Sequence, residues 1–103
     1  MQGRKQDRSP ARTTQAFVEA MRHPLRRKLF RFVVEQEEPV SPAMTSRKLE
    51  EQLSTVSYHY RVLLDAGLVD LHSTRPNRGA VEHLYLPVAS AVQNPVVKSL
   101  LDD

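Results

Sequence analysis

The sequence predicts a mainly α domain with a small β-hairpin, in the order α-α-α-α-β-β-α. Three observations predict it. Apolar residues recur at helical spacing from Phe17 to Leu64, then give way after Gly67 to short alternating runs. Prolines and capping residues divide the helical part into four pieces. Pro76, Asn77 and Gly79 supply a turn between the two alternating runs, and helical spacing returns after Asn94-Pro95.

A first helix is expected from a Thr13 or Thr14 cap to Arg22, with Phe17, Val18 and Met21 on one side. His23-Pro24 interrupts it, because proline lacks the amide donor and restricts the residue before it. A second helix, roughly Leu25 to Gln36, places Leu25, Leu29, Phe32 and Val33 on one stripe and Arg26, Arg27, Lys28 and Arg31 mostly off it. A third opens at Ser41-Pro42, a cap followed by a first-turn proline, and ends near Glu50. After Glu51-Gln52-Leu53, Ser54 is expected to cap a fourth helix that runs to Ala66 and stops at Gly67. Its inward stripe is Val56, Tyr60, Leu63 and Leu64. Residues 68–72 and 81–86 read as strands around a turn from Thr74 to Ala80. A last helix follows Asn94-Pro95 with Val96, Val97, Leu100 and Leu101 as its apolar stripe. Two short capped helices leading into a hairpin make a winged helix-turn-helix.

At 103 residues the chain has room for one modest core. Residues 1–10 are polar and charged and read as a disordered basic tail, leaving 11–103 as the domain. That tail has no apolar segment of the kind a secretory signal needs, and no run is long enough to span a bilayer. The expected location is cytoplasmic, with no membrane partner. The chain has no cysteine, which excludes disulfides, thiol catalysis and cysteine-rich zinc sites. Net charge is +3, but residues 1–34 hold nine Lys/Arg against only Asp7 and Glu19. A basic end of this kind fits a polyanionic partner, and it equally fits a solvated helix face.

The fourth helix separates these readings. In a helix-turn-helix the second helix of the pair enters the major groove and its first residues reach base edges. Here those residues are Ser54, Thr55, Ser57, Tyr58, His59 and Arg61: hydrogen-bonding groups, with no acid before Asp65. A solvated face ordinarily carries Glu and Lys. The hairpin tip offers Arg75, Asn77 and Arg78, without acidic neighbours in the turn, as a wing against the phosphate backbone. The expected partner is double-stranded DNA.

The runs His23-Pro24-Leu25-Arg26-Arg27, Ser41-Pro42-Ala43, Leu53-Ser54-Thr55-Val56-Ser57-Tyr58-His59, Ala66-Gly67-Leu68-Val69 and Arg78-Gly79-Ala80-Val81-Glu82-His83, with Tyr85, carry a resemblance. From about His23 to Leu86 the chain resembles an actinobacterial-type member of the arsenical-resistance-repressor (ArsR-like) winged-helix family. That resemblance implies homodimers joined through the first and last helices, bound to inverted-repeat operators and usually repressing. It also implies release of DNA on binding metal or another effector in many members. Two positions depart from the family pattern. Leu49-Glu50 stands where Leu-Gly is usual, so a different turn geometry is expected, because a side chain is strained in the left-handed region. Thr45 stands where a large aliphatic residue is usual, which implies weaker packing of the third helix on the fourth.

The apolar groups of the outer helices support the dimer, since Phe17, Val18, Met21, Val96, Val97, Leu100 and Leu101 exceed what one small core needs. No metal and no cofactor is expected. The cysteine pair of the family's best-known metal site is missing from residues 43–49, and the last helix has Lys98, Asp102 and Asp103 but no histidine. His72 and His83 could approach each other across the hairpin, with Glu82 adjacent, but without an evident supporting set of ligands. No phosphate loop, nucleophile elbow or paired carboxylate points to an enzyme. The alternatives are a winged-helix module used mainly for protein contact and a ligand-sensing repressor with a pocket at the dimer interface.

Overall fold

The computed structural model describes residues 13–102; the expected basic tail of residues 1–10 lies outside them. The elements are α1 (Thr14–Met21), α2 (Pro24–Glu35), α3 (Pro42–Leu49), α4 (Leu53–Asp65), β1 (Val69–Asn77), β2 (Ala80–Pro87), α5 (Ala89–Val92) and α6 (Pro95–Leu101). The expected order is present, with one addition. The four-residue helix α5 sits between hairpin and α6, and its Ala91 is fully buried.

Most helices start where the sequence places a cap. Thr13 Oγ1 accepts from the Ala16 amide, His23 Nδ1 from Leu25, and Ser41 Oγ from Met44. Asn94 Oδ1 accepts from both Val96 and Val97, while its Nδ2 donates to Thr14 Oγ1 at 2.9 Å and ties α6 to α1. The expected Ser54 cap is corrected: α4 begins one residue after Gln52, which caps it by backbone geometry alone, and Ser54 lies inside the first turn. The driving force for starting early is the turn itself, which places the Gln52 carbonyl to accept from Val56 at 3.0 Å.

The core sits where α2, α4, α1 and the base of the hairpin meet. Leu29, Phe30, Val33, Val40, Val56, Tyr60, Leu63, Leu68 and Val69 are all buried there. Phe30 was not on the expected stripe of α2, yet it is fully buried, because α6 and the hairpin base cover a second side of that helix. Leu25 and Phe32 are only partly buried. Phe17, Met21 and Val97 are also buried within this chain, where α1 packs on α6. Of the groups assigned to a dimer face, Val18, Val96, Leu100 and Leu101 retain exposed surface, Val96 most at 43%.

The helix-turn-helix turn keeps the left-handed geometry despite lacking glycine. Glu50 adopts φ 56°, ψ 48°, so the expectation of another geometry is corrected. The residue is held by its surroundings: the Glu50 amide donates to the Ser46 carbonyl, Ser46 Oγ donates to the Glu51 carbonyl at 2.5 Å, and Lys28 Nζ pairs with Glu51 at 3.1 Å. A left-handed side-chain residue costs about 1–2 kcal/mol, and these bonds offset it. Thr45 is likewise accommodated. It is fully buried, donates its hydroxyl to the Ser41 carbonyl at 2.9 Å, and lies 2.8 Å from the Tyr60 hydroxyl. Polar pairing replaces the apolar contact that an aliphatic residue would make.

The hairpin is longer than the alternating runs indicate. Its strands pair from Val69↔Pro87 to Asn77↔Ala80, with a bulge at His72, so residues 74–77 and 80 belong to strands rather than to the turn. Only Arg78 and Gly79 turn, at φ 56° and 81°. Two consecutive positive φ values match the right-handed twist of a tight hairpin. Pro76 is tolerated because a two-stranded ribbon leaves one side of each strand unpaired. At the base, Val40 exchanges two backbone hydrogen bonds with Tyr85, at 3.0 and 2.8 Å, and Tyr85 stacks on Tyr60 at 5.1 Å between centroids. The hairpin is thereby fixed to α4.

Candidate nucleic-acid interface

Three of the six residues assigned to the reading face of α4 lie open and two, Thr55 and Ser57, are half-buried. Ser54 and Arg61 are exposed, Thr55 is half-buried, and Tyr58 is 55% exposed. The inward stripe of Val56, Tyr60 and Leu63 fixes this orientation, because it anchors the opposite side of the helix in the core. His59 is the exception and is corrected here. It is 5% exposed and packs against the α1–α2 corner, with Arg26 Nη1 3.1 Å from its Nδ1 and its ring 4.5 Å from that of His23. Helical geometry accounts for the difference: position 59 adjoins the buried 56, 60 and 63, and the adjoining corner supplies a polar partner.

The arginines of α2 do not form the second half of a basic face. Arg26 Nε donates to the Ala20 carbonyl at 2.6 Å, Arg27 Nη1 to Met21 at 2.7 Å, and Arg31 donates twice to Leu101, at 3.1 and 2.8 Å. These guanidiniums satisfy free carbonyls at the ends of α1 and α6, where the helix dipole favours cations. The charge excess of residues 13–34 is therefore largely structural. The open cations near α4 are instead Arg47 and Lys48, exposed in the last turn of α3. Sequence reading passed over them. Their position in the helix just ahead of the reading helix was the available signal.

On the wing, Arg78 stands at the turn and Asn77 beside it, both exposed. Arg75 lies two residues down β1, opposite Glu82, and the two form an ion pair at 2.8 Å. The expectation that Arg75 has no acidic partner is corrected; cross-strand register supplies one that is distant in sequence. The Glu82 carboxyl is held below its ordinary range by the hydrogen bond from Arg75 and then by one from Ser41, with the Arg75 and Arg47 charges adding to these and burial opposing them. Arg78 makes no ion pair among the described residues. Between wing and reading helix runs a cleft of about 200 Å³ lined by Pro42, Ala43, Leu53, Ser57, Val81 and His83. Leu53 and Val81 are 48% and 62% exposed, an apolar rim that sequence reading also missed.

Among the described residues no group of three or more His, Cys, Asp or Glu could hold a metal ion. His72 sits in the bulge with its Nδ1 2.9 Å from Ser73 Oγ, and His83 pairs with Thr74, so the two strand histidines do not converge. Among the same residues no helix is long and apolar enough to cross a membrane.

A buried helix pair, an open reading helix and a projecting two-stranded wing define the winged helix-turn-helix class. The model of the family described as "Helix-turn-helix domain" matches residues 21–72, which take in α2, α3, α4 and the start of β1. The chain belongs to this family, which is not a class of enzyme. The fold is similar to that of reduced HlyU from Vibrio cholerae N16961, at 23% identity and TM-score 0.59 over 85% of this chain and 80% of that one. It is also similar to the transcriptional regulator HlyU from Vibrio vulnificus CMCP6, at 22% identity and TM-score 0.57 over 85% and 79%. No curated protein matches the chain significantly.

Proposed function

We propose that this protein is a cytoplasmic, sequence-specific DNA-binding regulator of transcription, an ArsR-like homodimeric repressor acting on an inverted-repeat operator. The observation that carries the reading is the first three turns of α4, which leave Ser54, Tyr58 and Arg61 exposed and Ser57 half-exposed with no acid among them. One protein of similar fold, HlyU from Vibrio vulnificus CMCP6, is a transcriptional regulator. The major groove admits such a helix, and a bidentate Arg61–guanine contact would discriminate one base pair by about 1–3 kcal/mol. Arg78 at the wing tip, with Arg47 and Lys48 on α3, supplies positive charge for flanking phosphates.

The dimer reading rests on the half-exposed Val18, Val96, Leu100 and Leu101 of α1 and α6, which lie side by side in the protomer. A two-fold arrangement would put two copies of α4 one helical turn apart, about 34 Å, on one face of the duplex. Selection of binding sites from random duplexes, followed by footprinting, tests this. The expected result is a palindromic site whose preference at one position relaxes in Arg61→Ala. Equal weakening on every sequence would make Arg61 a phosphate contact, and binding insensitive to salt would remove the DNA reading. Sedimentation at micromolar concentration is expected to show a dimer; a monomer would overturn that part.

A further inference from the structure

His59 occupies the middle of the reading helix and yet is buried against the protein's own α1–α2 corner. Its role is defined by its partners. A guanidinium only donates hydrogen bonds, so Arg26 Nη1, 3.1 Å away, requires His59 Nδ1 to be the unprotonated nitrogen. His23 is in the same state for a different reason: its Nδ1 accepts from the Leu25 amide at 3.1 Å and caps α2. Arg26 completes the assembly by donating Nε to the Ala20 carbonyl at the end of α1. Three side chains thus lock α1, α2 and α4 together, and both imidazoles must be neutral to do so. The Tyr58 and His59 rings meet edge to face with centroids 5.1 Å apart, which links the joint directly to an exposed reading residue.

We propose that His23, Arg26 and His59 form an acid-sensitive joint that positions α4 for DNA, and that protonating it releases the reading helix. This rests on the DNA-binding reading of α4. Once His59 is protonated, its Nδ1 presents a proton to the Arg26 donor, and two cations share one corner. The titratable and charged groups acting on His59 are His23 and Arg26, from the α1–α2 corner; Tyr58 faces it from its own helix, and α1 contributes the Ala20 carbonyl through Arg26. Glu19 and Asp65 line the shallow cleft that Arg26 borders, not the imidazole pair. Burial first, then His23 and Arg26, hold the His59 imidazole below its ordinary 6.5. The unfolded or released chain therefore binds the proton more readily, so the joint is intact above 6.5 and weakens as pH falls below it. The direction matters. Protonation of exposed histidines normally strengthens binding to a polyanion, whereas this joint weakens it.

The test compares wild type with His59→Asn, whose amide oxygen accepts from Arg26 but does not titrate. Affinity for a mixed-sequence duplex and for the selected site is measured by fluorescence anisotropy from about pH 7.5 to about pH 5.5, the range in which histidine titrates. Wild-type affinity for the selected site is expected to fall, approaching about tenfold per pH unit for one proton taken up. His59→Asn is expected to stay level or rise. Parallel profiles would overturn the joint. Arg26→Gln keeps a donor and removes a cation that lowers the His59 pKa, so the wild-type fall is expected to shrink; an undiminished fall would count equally against the joint. NMR titration of the DNA-free protein gives an independent reading: α4 amides are expected to shift with the His59 ring, and their failure to do so would sink the proposal. If no variant bound either duplex at any pH, the DNA reading would fail, and the NMR titration would still decide the joint.

Discussion

Removing the buried hydroxyl of Thr45 separates the two halves of a polar pair that holds α3 on α4. The Thr45 proton is committed to the Ser41 carbonyl at 2.9 Å, so the Thr45 oxygen accepts the Tyr60 proton at 2.8 Å. Burial, set against this hydrogen bond, keeps the Tyr60 phenol well above its ordinary pKa, so it remains a donor at all working pH values. Thr45→Val is nearly isosteric and leaves the Tyr60 hydroxyl buried without an acceptor, a loss of about 1–3 kcal/mol. Ser41 is not stranded, because its carbonyl still accepts from the Thr45 amide at 3.0 Å. Tyr60→Phe removes the donor and keeps the stack on Tyr85, so it is expected to cost less, about 0.5–1.5 kcal/mol. In Thr45→Val/Tyr60→Phe nothing is left unpaired, and the double variant should cost no more than Tyr60→Phe alone. Urea unfolding of all four proteins yields the coupling, expected at about 1 kcal/mol or more. A one-kilocalorie change moves the melting temperature of a domain this size by about 4–8 °C, well within measurement. Additive losses would refute the donor–acceptor assignment and leave the pair as an ordinary steric contact.

Glu50→Gly relieves the left-handed turn and is expected to raise stability by about 0.5–1 kcal/mol, less than the full strain because glycine also frees the unfolded chain; a thermal melt checks it. Arg78→Ala is expected to leave the fold intact and lower the salt slope of duplex binding by about 1 per subunit, while Arg75→Ala, already paired with Glu82, should change it less. Equal slopes would mean that the ion pair opens on DNA. The lowered Glu82 pKa contributes stability above the ordinary value of 4.5 that is lost as pH falls through the lower folded value, so acid should loosen the wing in that window. Glu82→Gln should remove that dependence, followed by amide exchange in β1 and β2.

The helix caps at Thr13, Ser41 and Asn94 and the stop at Gly67 were legible in the sequence because each is a local event, settled within one turn of helix. The open side of α4 was legible for the same reason, since its periodicity names the inward residues. Three features were not. His59 is buried by the α1–α2 corner, Arg75 is paired by cross-strand register, and the α2 arginines are used up on the ends of other helices. Each depends on a contact between residues distant in sequence or across a boundary that periodicity cannot see. Phe17, Met21 and Val97 illustrate the same limit: a helical stripe states that a surface is covered, but not whether its own chain or a second one covers it.

The two-residue turn of the hairpin has a consequence for how relatives of this protein change their footprint. With no slack between Asn77 and Ala80, the distance from body to tip is counted in paired residues, each adding about 3.4 Å. One inserted pair also rotates the tip to the other face of the ribbon, so Arg78 would travel outward and turn its back at once. Two inserted pairs restore its direction after roughly 6.8 Å, about two phosphate steps along one DNA strand. The wing behaves as a ruler graduated in pairs, and lengths between the marks place a cation where no backbone oxygen faces it.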